Sequence, residues 1–155
     1  MKRAIGVMAV LSLLTAVGAV VGTGTAQAAS SCTSYTTFWE NAGGSIGWVW
    51  QDLPTVGSQT GNANCTLGVG NQSTAVRTLQ HALNVCNSYE TRLVLSEDGA
   101  YGTHTQTAVR NLQTFWGIPH DGVYGPQTRR YMSWPTLNAD GLVGCWDNFY
   151  DNPLP

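Results

Sequence analysis

The chain has 155 residues, only 10% of them charged, with seven basic side chains against nine acidic ones. That balance excludes a general nucleic-acid binder, which presents a basic stripe, and polybasic docking to an anionic membrane. The length suits one modest domain rather than two large ones.

Met1-Lys2-Arg3 is a basic start, Ala4 to Val21 carries no charge, and Ala26-Gln27-Ala28 supplies a small-residue cleavage pattern. This order predicts a secretory signal peptide over 1–28. Ser12, Thr15 and Gly18 interrupt the apolar stretch and no basic stop-transfer cluster follows it, which argues against a retained membrane helix. Ala29-Ser30-Ser31 ahead of Cys32 lacks the residues of a lipidation site. Cleavage also removes Lys2 and Arg3, leaving five arginines and no lysine. The expectation is a secreted monomer, extracellular or wall-associated, with no membrane contact after cleavage.

Residues 29–69 are rich in Ser, Thr, Gly and Asn, with Trp39, Trp48 and Trp50 and few charges. They read as an irregular segment held by a disulfide, with short aromatic and β-branched pieces such as Gly47-Trp48-Val49-Trp50 compatible with a hairpin. Trp48 and Trp50 alternate with Val49 and would share one face of a strand, either as an aromatic platform or as part of a small core. Cys32, Cys65, Cys86 and Cys145 are an even number in an exported chain, so two disulfides are expected. Three connectivities are open; Cys32–Cys65 with Cys86–Cys145 is favoured because the first pair brackets the N-terminal segment and the second staples the remainder. No C-x-x-C spacing supports zinc.

Residues 70–135 carry sharper signals. Val76, Leu79 and Leu83 predict an amphipathic helix over Ser73 to Val85, capped by Ser73 or Thr74. Ala108, Val109, Leu112, Phe115 and Trp116 predict a second over Thr103 to Trp116, ended by Gly117. Pro126 predicts the start of a third, running to about Ser133. The apolar run Leu93-Val94-Leu95 is expected to pack under the helices, and the tail 136–155 reads as irregular.

Two motifs recur in this region. Ala75-Val76-Arg77-Thr78-Leu79-Gln80 returns as Ala108-Val109-Arg110-Asn111-Leu112-Gln113. Asp98-Gly99-Ala100-Tyr101-Gly102 with Thr105 returns as Asp121-Gly122-Val123-Tyr124-Gly125 with Thr128. Asp-Gly suits a tight turn in which Asp bonds local amides and Gly accepts positive φ. The second glycine leads into a helix, Thr at its third position can pair with the turn, and the Tyr is an apolar plug.

At these residues the sequence resembles the small three-helix peptidoglycan-binding domain found beside many bacterial cell-wall hydrolases. Val76…Leu79-Gln80, Asp98-Gly99-Ala100-Tyr101-Gly102…Thr105…Ala108-Val109…Leu112-Gln113 and Asp121-Gly122-Val123-Tyr124-Gly125-Pro126-Gln127-Thr128 carry the match. The cysteines resemble those of a secreted subgroup that holds this domain almost alone. The resemblance implies a mainly α, three-helix fold with D-G turn repeats, to which the chain adds an irregular, disulfide-stapled N-terminal segment. It also implies binding of cell-wall peptidoglycan without cleavage, and needs no cofactor.

Catalytic alternatives are thinly supplied. His81, His104 and His120 fall in no metal-ligand spacing, and no G-x-S-x-G elbow exists. Glu40 with Asp52 is the one carboxylate pair worth retaining for a lysozyme-like mechanism. The expectation is therefore no enzyme and no metal. The rival readings are a muralytic or other hydrolase with its site in 29–69, and a secreted protein-binding or inhibitor scaffold. For ligand binding, Trp116, Gln113, Asp121, Tyr124 and Arg129 are the candidates lining one groove, Trp116 offering a flat ring and the others polar groups.

Overall fold

A computed structural model describes residues 29–148, 150 and 151; the expected signal peptide lies outside the described residues. The element order is β1 (Ser34–Asn41), β2 (Trp48–Thr55), α1 (Thr74–Cys86), α2 (Ser88–Thr91), α3 (Thr103–Phe115), α4 (Pro126–Arg130), β3 (Ser133–Asn138) and β4 (Gly141–Asp147). The strands form one antiparallel sheet in the order β1-β2-β3-β4.

The mainly α expectation is thereby overturned: the helices share the molecule with a four-stranded sheet, built from the N-terminal segment, read as irregular with room for a hairpin, and from Ser133–Asp147, which runs from the expected end of the third helix into the tail read as irregular. In β2 the cause is a period of two. Val49, Gln51 and Leu53 are buried while Trp48, Trp50 and Asp52 project from the other face. β1 pairs with it along its whole length, Trp39 opposite Trp50 and Thr37 opposite Asp52. In the tail, Asn138 Oδ1 accepts the Asp140 N–H at 2.9 Å and Gly141 adopts φ +125°, so the chain reverses into β4. Pro135, which has no N–H to give a ladder, sits opposite Cys145 beside the irregularity at Thr136/Leu137. α4 stops at Arg130, earlier than its proline start suggested, because Ser133 already belongs to β3.

The helical half follows its motifs closely. Ser73 Oγ accepts the Val76 N–H and caps α1. Gly117, at φ +66°, and Ile118 donate their N–H groups back to Thr114 and Gln113, a Schellman ending for α3. Of the run Leu93-Val94-Leu95, Leu95 is buried and Leu93 packs on the core, while Val94 faces solvent; the segment is extended and alternates.

Each D-G turn is clamped by a buried glutamine. Gln80 Oε1 accepts the Gly99 N–H at 2.9 Å, and its Nε2 lies 2.9, 3.1 and 3.2 Å from Asp98 Oδ1, the Ala100 carbonyl and Thr105 Oγ1. Gln113 repeats the set with Gly122 at 2.8 Å and with Asp121, Val123 and Thr128 at 2.9, 3.0 and 3.1 Å. The glycines are obligatory: φ is +76° at Gly99 and +72° at Gly122, and a Cβ would stand 2.9 Å from the Ser73 carbonyl or 2.7 Å from Gln106 Cγ. Tyr101 and Tyr124 fill the space below, both buried, and Tyr101 Oη donates to the Gly122 carbonyl at 2.9 Å, tying one turn to the other.

One apolar cluster joins the halves: Leu53 of β2 and Trp134 of β3 pack with Leu67, Leu79, Leu83, Leu112 and Tyr124. The middle seam of the sheet is short, with Trp50 opposite Leu137, and Gln51 reinforces it by donating to Thr136 Oγ1 at 2.8 Å and the Asp147 carbonyl at 3.0 Å. Disulfides Cys32–Cys65 and Cys86–Cys145 span 33 and 59 positions. This is the favoured connectivity. The first holds β1's start in the core cluster and the second ties the end of α1 to β4.

Replacing Gln80 or Gln113 by Leu strands a buried turn N–H and the carbonyl and hydroxyl groups it serves. Each change is expected to lower the unfolding free energy by about 3 kcal/mol, measured by guanidinium denaturation. A loss under about 1 kcal/mol at either site would contradict the clamp.

Candidate functional site

Exposed aromatic rings are costly to keep on a soluble surface, and a contiguous set marks an interaction site. The helical half holds such a set. Tyr89 on α2, Phe115 at the end of α3, Trp116 at its C-cap and Tyr131 at the C-cap of α4 form a continuous strip. Successive centroids are 5.7, 5.3 and 5.9 Å apart. Tyr89 is 71% exposed and Trp116 44%. The helix ends build it: the Schellman turn halts α3 with Trp116 outside the core, and the abrupt end of α4 leaves Tyr131 beside it.

Beside Phe115 the strip borders a shallow cavity of about 270 Å³ lined by Glu90, Arg92, Asn111 and Thr114. Arg92 adopts a left-handed backbone, φ +53°, at the end of α2, and Asn111 Nδ2 donates to the Thr91 carbonyl at 2.8 Å. Flat rings bordered by a guanidinium, a carboxylate and amide groups can stack on sugar rings and bond their acetamido and hydroxyl groups.

The structure does not gather the five candidate ligand residues into one groove. Trp116 alone is a surface residue of the strip. Gln113 is buried in its turn, and Asp121 accepts from Gln113 and the Val123 N–H within the same turn. Tyr124 is fully buried, and burial raises its hydroxyl pKa.

Arg129 is 1% exposed and already holds a carboxylate. Its Nε and Nη2 donate to Asp151 at 2.9 and 3.0 Å, Nη1 donates to the Ala63 carbonyl, and the guanidinium lies 4.7 Å from the Tyr150 ring centre. Burial works to raise the Asp151 carboxyl, but the hydrogen bond and charge of Arg129 outweigh it and hold the group below the ordinary value.

Tyr89 went unselected in the sequence because it falls between the two motifs, and Phe115 because its helical spacing marks it as core. Their only sequence signal was aromatic content at a helix end. Glu40 and Asp52 occupy adjacent strands on opposite faces, since Glu40 pairs with Val49 and Asp52 with Thr37, so they line no common cleft. His104 and His120 are solvent-facing, whereas His81 Nδ1 stands 3.1 Å from Glu97 Oε2. Among the described residues no group of three or more His, Cys, Asp and Glu is placed to hold a metal ion, and no helix is long and apolar enough to cross a membrane.

Residues 72–132, which hold both D-G turns and their glutamine clamps, match the family described as "Putative peptidoglycan binding domain". The chain is also 42% identical over 62 residues to a "Probable N-acetylmuramoyl-L-alanine amidase" of Bacillus licheniformis. That match covers 37% of this chain and 18% of the relative's length. Both strands of the N-terminal hairpin lie outside the matched segment.

The buried Arg129–Asp151 pair gives a pH prediction. Because the folded-state pKa of Asp151 is depressed, its contribution is complete above the unfolded carboxylate value of roughly 4 and is lost as pH falls through the folded value. Thermal melts should show this acid limb, and Asp151→Asn should flatten it. Arg129→Leu, which leaves the carboxylate unpaired, is expected to cost about 3 kcal/mol at pH 7.

Proposed function

We propose that the protein is a secreted, non-catalytic module that binds bacterial cell-wall peptidoglycan, with the Tyr89–Phe115–Trp116–Tyr131 strip as its contact surface. The observation that carries this reading is that all four rings are exposed, contiguous and inside the segment matched to the peptidoglycan-binding family. Sugar rings present a face of C–H groups that suits the negative face of an aromatic ring.

The Bacillus licheniformis relative is named as an amidase, but the alignment covers only 18% of its length. The non-catalytic reading draws support from the opposed faces of Glu40 and Asp52 and from the cysteines, all of which are paired. Two disulfides suit an oxidising, extracytoplasmic setting, and the wall outside the membrane is where the polymer lies.

The test is co-sedimentation with purified insoluble peptidoglycan, with cellulose as the control. The protein should enrich on the wall polymer, and Phe115→Ala with Trp116→Ala should weaken that binding about tenfold, roughly 1.4 kcal/mol, with the fold intact by near-ultraviolet circular dichroism. Equal recovery on cellulose would refute peptidoglycan recognition. A fall in turbidity of the wall suspension would refute the non-catalytic reading.

A further inference from the structure

The outward face of the sheet carries a second set of aromatic rings, none from the family-matched segment. Trp39 on β1 lies opposite Trp50 on β2, ring centres 4.8 Å apart and planes tilted by 40°. Trp48 projects from the same face two residues along β2, about 7 Å away at the usual strand rise. Trp48 is 62% exposed and Trp39 56%. Leu137, opposite Trp50, and the exposed Leu142, opposite Leu137, extend the apolar floor.

Followed in the other direction, this face runs into a cleft. Asp52 is next on the same side of β2 and accepts from Thr37 Oγ1 at 2.6 Å. Beyond it a cavity of about 300 Å³ opens between the sheet and α1, lined by Tyr35, Asp52, Arg77, His81, Glu97 and Leu137. It holds a guanidinium, an imidazole and two carboxylates. Arg77, His81 and Glu97 belong to the peptidoglycan-binding segment, while Tyr35, Asp52, Leu137 and the three tryptophans come from the sheet.

We propose that this groove is a second peptidoglycan site, in which the tryptophan face takes sugar rings of a glycan strand and the cleft takes the peptide branching from it. Flat π-faces in line along β2 suit successive pyranose rings of a linear polymer. The cleft's paired signs suit a peptide: Arg77 can bind its carboxylate in a two-point contact, and Asp52 and Glu97 can accept from its ammonium or amide groups. A neutral glycan homopolymer would use the rings and leave these charges unengaged. The inference rests on the reading that the chain binds peptidoglycan and adds a second contact, remote in sequence from the Trp116 strip. Two contacts on one rigid body raise the affinity for an insoluble polymer through effective concentration.

The tryptophans report on both sites. The protein, with both disulfides formed, is labelled with 15N and its indole N–H signals are followed while tetra-N-acetylchitotetraose or a soluble disaccharide–pentapeptide is added. The signals of Trp39, Trp48 and Trp50 should move with either probe, and the disaccharide–pentapeptide should bind about tenfold tighter than the tetrasaccharide. Arg77→Gln should abolish that preference without altering tetrasaccharide affinity. Trp39→Ala with Trp48→Ala, both exposed positions, should weaken disaccharide–pentapeptide binding about tenfold. Movement of Trp116 alone would overturn the second site and leave the proposed function standing. Shifts of the sheet tryptophans on simple concentration of the protein would mean that a second copy covers the face, and would overturn it too.

Discussion

A tight turn tucked beneath a helix carries backbone N–H and C=O groups that water cannot reach, and the helical half is organised around bonding them. Gln80 and Gln113 do this from the middle of α1 and α3, each accepting from one turn N–H and donating to a carboxylate, a carbonyl and a hydroxyl. Because each glutamine sits on one helix and its turn leads into the next, the bonds fix α1 against α3 and α3 against α4. The same bonds consume the polar capacity of Gln113 and Asp121. The strongest motif in the chain is therefore scaffold, and the surface available for recognition is displaced to the helix ends that the scaffold positions.

The sheet enlarges what the turns support. Leu53 and Trp134 reach into the same cluster as Leu79, Leu112 and Tyr124, so strands from both ends of the chain share one core with the helices. Arg129 extends this connection: it leaves α4 through the interior, bonds the Ala63 carbonyl and holds Asp151. Buried ion pairs contribute little over apolar packing but are costly to break singly. This one joins three segments distant in sequence, and it explains why a charged residue on a five-residue helix lies inside rather than in solvent.

α1, α3, the start of α4 and the D-G turns were legible in the sequence because each rests on local rules: apolar spacing, a capping serine, glycines at positive φ; the four-residue α2, which has no apolar period, was not. That the four cysteines form two disulfides was legible in their even number; the pairing was open among three connectivities, and the structure has the one favoured. The sheet was not legible. In β1 and the tail, Thr36 and Thr136 take inward positions and hide the alternation, and β3 contains a proline. Its partners also lie far apart, β2 pairing with a strand that begins at Ser133. Of the candidate ligand residues, Trp116 stands exposed at its helix end, whereas Gln113, Tyr124 and Arg129 were chosen for chemistry that their burial turns inward. The cleft holding Arg77, His81 and Glu97 needs Asp52 and Tyr35 from another part of the chain, a proximity that no local pattern encodes.

The sheet order also sets a timetable. A chain emerging from its N-terminus can close β1 on β2 and join Cys32 to Cys65 while both cysteines are still the only ones present. Consecutive pairing of this kind leaves no wrong partner to choose. The outer edge of β2, however, stays open until Ser133–Asn138 arrive, and Cys86 waits for Cys145 over the same interval. An open strand edge flanked by tryptophans is an aggregation hazard during that wait. The helical half, whose helices and turns follow one another in sequence, can form in the meantime and place α1 against the hairpin before its last partner strand is made.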